Sequence, residues 1–142
     1  MSIAQERASD ALEKVLAVKK YKCSTKDDKN DTFQKRYRAY VDRLGPMIIS
    51  NGLGQALATE QAAAGHNPVK PEEIAHAKLY ENISSWLCRQ PSGIYPGAND
   101  LITALMNGSQ SEYIKAQSEA LAWLEWHKRF CRAYLPRDTE AE

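Results

Sequence analysis

The stretch SQSEYIKAQSEALAWLEWHKRFCRAY, residues 109–134, decides the fold. Ser109 with Glu112 three residues on forms a capping box, in which each side chain satisfies a backbone N–H that the first helical turn leaves unpaired. From there Tyr113, Ala116, Ala120, Leu124, His127, Cys131 and Tyr134 recur at three- and four-residue spacing, which places them on one face of a helix over Gln110 to Tyr134. Trp123 and Phe130 widen that face on one flank, and so broad a stripe needs other helices to cover it. Trp126 falls beside Trp123 and outside the stripe. It either extends the core beneath a neighbouring helix or stands at the surface as an interface anchor.

The same period runs upstream. Ser2 and Gln5 make a second capping box, and Ile3, Ala4, Ala8, Ala11, Leu12, Val15 and Leu16 predict a buried stripe on a helix over Ser2 to Lys22. A polar turn follows over Cys23 to Asp31. Phe33, Tyr37, Tyr40, Val41, Leu44, Met47 and Ile48 then share a face, with Gly45-Pro46 predicting a kink or a break because proline removes a backbone donor and crowds the preceding turn. Asn51-Gly52 suits a left-handed cap. Leu53 to Ala64 reads as a short helix stopped by Gly65. A fourth helix over Pro71 to Arg89 starts on proline with Glu72 and Glu73 in its first turn and buries Ile74, Ala77, Leu79, Ile83, Trp86 and Leu87. Gln90 to Ala98 has the chemistry of an irregular loop, and Asn99 or Asp100 can cap a short helix through Met106.

No run of alternating β-branched residues is present, so the expected fold is an all-α, compact single-domain bundle of about five to seven helices over residues 1–142, the last six or so flexible. No stretch approaches the roughly 18 apolar residues that span a bilayer, and Met1 to Asp10 lacks the zones of a signal peptide, which together predict a cytoplasmic protein. The three cysteines Cys23, Cys88 and Cys131 are dispersed and read as small apolar residues rather than a disulfide framework.

Catalytic chemistry finds no footing. His66, His76 and His127 are scattered, with no Cys-x-x-Cys or His-x-x-x-His pair to hold zinc, and His127 on the apolar stripe reads as a packed histidine. There is no nucleophile elbow, and Gly52-Leu53-Gly54 lacks the strand, further glycine and lysine of a phosphate loop. The expectation is a protein that is not an enzyme and takes no cofactor, metal or small-molecule substrate. Charge is the remaining signal: the net charge is +1, yet Met1 to Gly45 carries eleven Lys and Arg against seven Asp and Glu. Lys19, Lys20 and Lys22 end the first helix. Lys35, Arg36 and Arg43 lie along one flank of the second helix and Arg38 on the other, while Lys128, Arg129 and Arg132 cluster on the last, with Arg137 just beyond. Glu125 can pair with Arg129 at four residues' spacing, which weakens that arginine as a phosphate ligand.

Asn51-Gly52-Leu53-Gly54-Gln55-Ala56-Leu57-Ala58 after an Ile-Ile run, followed downstream by Tyr113-Ile114 and the Ala120 to Phe130 stretch, resembles the small helical fifth subunit of the type III-B CRISPR Cmr effector. Tyr37, Val41, Leu44, Ile48, Trp86-Leu87 and the overall length take part in the resemblance, which covers nearly the whole chain. The order and spacing of these segments carry it, not any one motif. It implies a non-catalytic subunit present in more than one copy, stacked beside repeated backbone subunits and the large subunit, which supply the cleavage, second-messenger and DNase activities. It also implies that basic residues, here Lys19, Lys20, Lys35, Arg36, Arg38, Arg43, Lys128, Arg129 and Arg132, approach the phosphates of a guide RNA–target RNA duplex in antiviral defence. Such contacts are sequence-tolerant and salt-sensitive. The competing expectation is a helical protein-interaction adaptor with no nucleic-acid role.

Overall fold

The computed structural model describes residues 1–23 and 31–137. Among these residues there are six helices and no strand: α1 (Ile3–Lys20), α2 (Thr32–Asn51), α3 (Leu53–Ala64), α4 (Pro71–Leu87), α5 (Leu101–Asn107) and α6 (Gln110–Tyr134). The turn expected over Cys23 to Asp31 falls, apart from its two ends, outside the described residues, as does most of the expected flexible tail.

Local chemistry sets most helix ends. Both capping boxes form, Ser2 accepting from the Gln5 N–H and Ser109 from that of Glu112, with the Gln5 and Glu112 side chains reaching back. Asp100 accepts from the Thr103 N–H to start α5, and Pro71 opens α4 with Glu72 and Glu73 behind it.

α2 lies between α4 and α6, α3 rests on α4, α5 on α3, and α1 on α6. Arg7 meets Glu119, Asp10 meets Trp123, Ala11 meets His127 and Lys19 sits over Tyr134, so α1 and α6 run side by side in the same direction. The core takes Ala11, Val15 and Val18 from α1, Phe33, Tyr37, Tyr40, Val41, Leu44 and Ile48 from α2, and Ala116, Ala120, Trp123, Leu124, His127 and Cys131 from α6.

Two expectations shift and a third, a kink or a break at Gly45-Pro46, loses one of its alternatives. In α1, Ile3, Ala4 and Leu16 are exposed. Leu16 is turned away from the face that Ala11, Val15 and Val18 share, while Ile3 and Ala4 belong to the first turn, ahead of the first tie to α6 at Arg7. In α4, Ala75 and Tyr80 are buried while Ile74 and Ala77 are half-covered. At Gly45-Pro46 the chain does not break: Pro46 is held inside a single helix whose turns on either side bury Leu44 and Ile48. Tertiary packing outweighs the lost hydrogen bond to the Asp42 carbonyl.

The passage from α2 to α3 uses Gly52 at φ +88° and ψ 157°, a conformation that glycine alone adopts readily and that is more extended than the left-handed cap expected there. α3 has no side-chain cap of its own. Instead α6 caps it from outside: the Leu53 N–H donates to Gln117 Oε1 at 3.0 Å and the Gly54 N–H to Tyr113 Oη at 2.8 Å. A side chain at Gly54 would stand 3.2 Å from that same hydroxyl and from Met106 Cε. The seating of the Tyr113 and Gln117 side chains on the bare backbone of Leu53 and Gly54 thus links the Asn51 to Ala58 junction to Tyr113.

Candidate nucleic-acid interface

The basic residues singled out from the sequence divide into three places. Lys19 and Lys20 are exposed at the end of α1, where Lys19 Nζ lies 5.8 Å from the Tyr134 ring centroid. On the α4 side of α2, Tyr40 stacks on His76 with ring centroids 3.7 Å apart, and the Arg43 guanidinium covers Tyr40 at 5.0 Å. His76 Nδ1–H donates to the buried carboxylate of Glu60 at 2.5 Å, so the stack is anchored to α3. Arg36 adds positive charge near Tyr40, and burial pushes the Tyr40 phenol above its ordinary value against the pull of Arg36 and Arg43. Lys35 is half-buried and has no ion pair among the described residues.

The third place is the seam between α2 and α6. Arg132 reaches Asp42 at 3.2 Å, Arg129 and Lys128 reach Glu125 at 3.0 and 3.4 Å, and Arg38 donates to the Leu135 carbonyl at 3.1 Å, closing the end of α6. Of these residues Asp42, Glu125 and Lys128 line a groove of about 250 Å³, together with Val41, Gly45, Pro46, Leu121 and Leu124. The hydrogen bonds from Arg129 and Lys128 hold the Glu125 carboxyl below its usual range. The expected Glu125–Arg129 pair is therefore present, and the sequence offered no sign of its counterpart, Asp42 with Arg132, because those residues lie on different helices. Trp126 is 40% exposed and stacks on Phe130 at 5.8 Å, which makes it a partly covered surface aromatic rather than core.

Two further clusters were invisible in sequence because their members are far apart along the chain. In the first, Asn82 Nδ2 donates to Tyr37 Oη at 2.8 Å and Tyr37 Oη lies 2.6 Å from His127 Nε2, while His127 Nδ1 lies 2.9 Å from the Ala11 carbonyl. A carbonyl only accepts, so Nδ1 carries the proton and Nε2 accepts from the tyrosine. Burial lowers His127 to a pKa of about 3, and the neutral ring stacks on Trp123. In the second, Arg7 forms a fork on Glu119 with both bonds at 2.9 Å, and Trp86 Nε1 donates to the same carboxylate at 2.9 Å. Burial works to raise the Glu119 carboxyl, yet the hydrogen bonds from Arg7 and Trp86 outweigh it and leave it below its ordinary value. Arg89 stacks on Trp86 at 3.4 Å. One cluster ties α1, α2, α4 and α6 together and the other ties α1, α4 and α6, so these polar groups serve packing.

Among the described residues no group of three or more His, Cys, Asp or Glu is placed to hold a metal ion, and no helix is long and apolar enough to cross a membrane. The fold and this surface define a small all-helical domain whose His127 and Glu119 clusters are bound up in its own packing and whose basic residues gather in part along the α2–α6 seam. The family model for CRISPR-associated protein (Cas_Cmr5) matches residues 3–134. The crystal structure of a CRISPR-associated Cmr5 family protein from Thermus thermophilus superposes with a TM-score of 0.66 at 25% identity, covering 94% of this chain and 97% of that one. The chain belongs to the Cmr5 family and is a small subunit of the type III-B CRISPR Cmr complex, which it forms with other Cmr subunits.

Proposed function

We propose that this protein is a non-catalytic structural subunit that stacks with further copies of itself and with the backbone and large subunits of the Cmr complex, and that its basic seams contact the backbone of the guide RNA–target RNA duplex. The observation that carries the reading is the α2–α6 seam, where Arg38, Lys128, Arg129 and Arg132 gather from two helices in a member of this family. Contacts of that kind grip phosphates without reading bases, which suits a complex whose sequence recognition comes from base pairing. Arg36 and Arg43, on the other side of α2, extend the basic surface. The non-catalytic part of the reading is supported by His127 and Glu119, whose polar atoms are engaged by side chains and backbone of the chain itself.

The test is to assemble the complex with Arg36, Arg43, Lys128 and Arg132 replaced by Glu. Target RNA engagement should weaken, with the loss greatest at low salt and shrinking as salt rises, whereas the isolated protein binds RNA feebly in either form. Target binding by the mutant complex equal to that of the parent overturns the RNA role. A specific observation favours a second reading: Lys128, Arg129 and Arg132 are already ion-paired within the chain, as they would be on a solvated face of a pure assembly adaptor. Under that reading the mutant complex assembles and binds target normally, and the tagged protein recovers partner subunits whose yield does not depend on RNA.

A further inference from the structure

We propose that Asp42 and Glu125 occupy phosphate positions on the α2–α6 seam, so that the isolated subunit is self-neutralised and gives up these internal counter-ions only to a duplex that its neighbours hold in place. This rests on the reading of that seam as a phosphate-contact surface.

The geometry is that of anion recognition. Asp42 Oδ1 accepts from Arg132 Nε at 3.3 Å and lies 3.2 Å from Arg132 Nη2, so one edge of the guanidinium is turned to a single carboxylate oxygen, as it could be to a phosphate oxygen. Glu125 takes two cations on one carboxylate, Arg129 at 3.0 Å and Lys128 at 3.4 Å. With Lys128, Arg129 and Arg132 set against Asp42 and Glu125, the cluster carries one positive charge where its cations alone would present three. Phosphate contact draws its affinity from cations that displace counter-ions, so this compensation removes most of what a loose RNA would gain by binding.

Exposure distinguishes these pairs from structural ones. The side chains of Arg129, Glu125 and Arg132 are 64%, 57% and 54% exposed, and those of Asp42 and Lys128 33% and 30%, against 18% and 17% for Arg7 and Glu119. Ion pairs in so much water are held weakly and re-form on the timescale of surface side-chain motion. The Arg7–Glu119 pair is different in kind: both side chains are largely covered and Trp86 Nε1 adds a third bond to the carboxylate. The seam pairs can therefore exchange a carboxylate for a phosphate without loss of fold, and the displaced carboxylates, fixed on α2 and α6, remain close enough to repel the newcomer. Exchange wins when neighbouring subunits already fix the duplex and the effective phosphate concentration at the seam is high.

The experiment measures binding of the full isolated chain to an RNA duplex of fixed length and arbitrary sequence, by fluorescence anisotropy across a salt series. Asp42→Asn and Glu125→Gln should each tighten binding about two- to fivefold, and about tenfold together, values set by the small worth of exposed ion pairs. The salt slope should steepen by roughly one to two units in the double variant, one for each charge removed. Lys128→Ala with Arg132→Ala should abolish the gain. Unchanged or weaker binding by the Asp42→Asn, Glu125→Gln protein, in a background where Lys128→Ala and Arg132→Ala do weaken binding, overturns the counter-ion proposal and leaves the seam as a phosphate surface. If neither set moves the affinity, and target binding by the assembled complex is also unchanged, the seam is not a phosphate surface and both fall. Thermal unfolding of each variant, expected within a degree or two of the parent, shows that the fold is intact.

Discussion

His127 makes the stability of this protein depend on pH in a window where few other groups interfere. Its ring is wholly buried and neutral, with both nitrogens engaged, and its pKa is about 3 in the folded chain against an ordinary 6.5. Below pH 6.5 the unfolded chain takes up a proton at this position that the folded chain refuses, so stability falls with decreasing pH and the fall ends near pH 3. Integrating between these two pKa values gives a loss of about 2 kcal/mol from pH 7 to pH 5 and roughly 4–5 kcal/mol once both states are protonated. The first figure is a large share of the roughly 5–15 kcal/mol that stabilises a domain. The carboxyl groups of Glu119, Asp100 and Glu125, whose folded pKa values are depressed, withdraw their contribution only at lower pH, as it falls below their ordinary values near 4 and through the folded ones. Urea unfolding at pH 7, 6, 5.5 and 5 should therefore show the loss, and a His127→Gln protein, which retains His66 and His76, should show about 2 kcal/mol less of it. In parallel, the His127 ring-carbon proton should hold its chemical shift from pH 8 down to pH 5. A midpoint above pH 5 in that titration, or the same pH slope in His127→Gln, refutes the reasoning.

Other outcomes follow from the packing. Tyr113→Phe removes the external cap on the Gly54 N–H and should cost about 1 kcal/mol by denaturant titration, with faster hydrogen exchange at Gly54. Glu119→Gln keeps the size of the side chain but loses its charge toward Arg7 and should cost about 1–3 kcal/mol, a difference that narrows as the pH is lowered and the parent carboxyl protonates. Gly52→Ala forces a side chain into φ +88° and within 3.3 Å of Tyr113 Oη, and should cost about 1–3 kcal/mol in the same assay. Pro46→Ala restores a donor for the Asp42 carbonyl and should raise stability by about 1–2 kcal/mol, read as a higher midpoint of thermal unfolding.

The features legible in sequence are those decided within a turn or two. The limits of α6, the capping boxes at Ser2 and Ser109, the start of α4 on Pro71 and the Glu125–Arg129 pair each depend on residues three or four apart, and each is found where local rules place it. Packing decides what local rules leave open: Gly45-Pro46 allowed a kink or a break, and Val41, Leu44 and Ile48, buried on both sides of it, hold one continuous helix together. The candidate interface was legible only as a list of cations. Which of them are neutralised depends on residues such as Asp42, ninety positions from Arg132, that no helical period relates. The external cap on α3 by Tyr113 and Gln117 was hidden for the same reason, although Leu53, Gly54 and Tyr113 stand in segments that the resemblance picked out.

The parallel pairing of α1 with α6 also has a consequence during synthesis. Arg7 waits for Glu119, 112 residues later, and at about 5–20 residues per second that interval is roughly 6–22 s. During it α2, α3 and α4 can already pack on one another, whereas the Ala11, Val15 and Val18 face has no α6 to cover it. Of the six helices the earliest made is the last to be docked, and it is α6, the latest made of the six, that docks it. Ribosome-bound chains stalled before residue 119 should therefore leave α1 open to brief protease treatment while α2 to α4 resist. Protection of α1 in those chains would mean that some other surface receives it first.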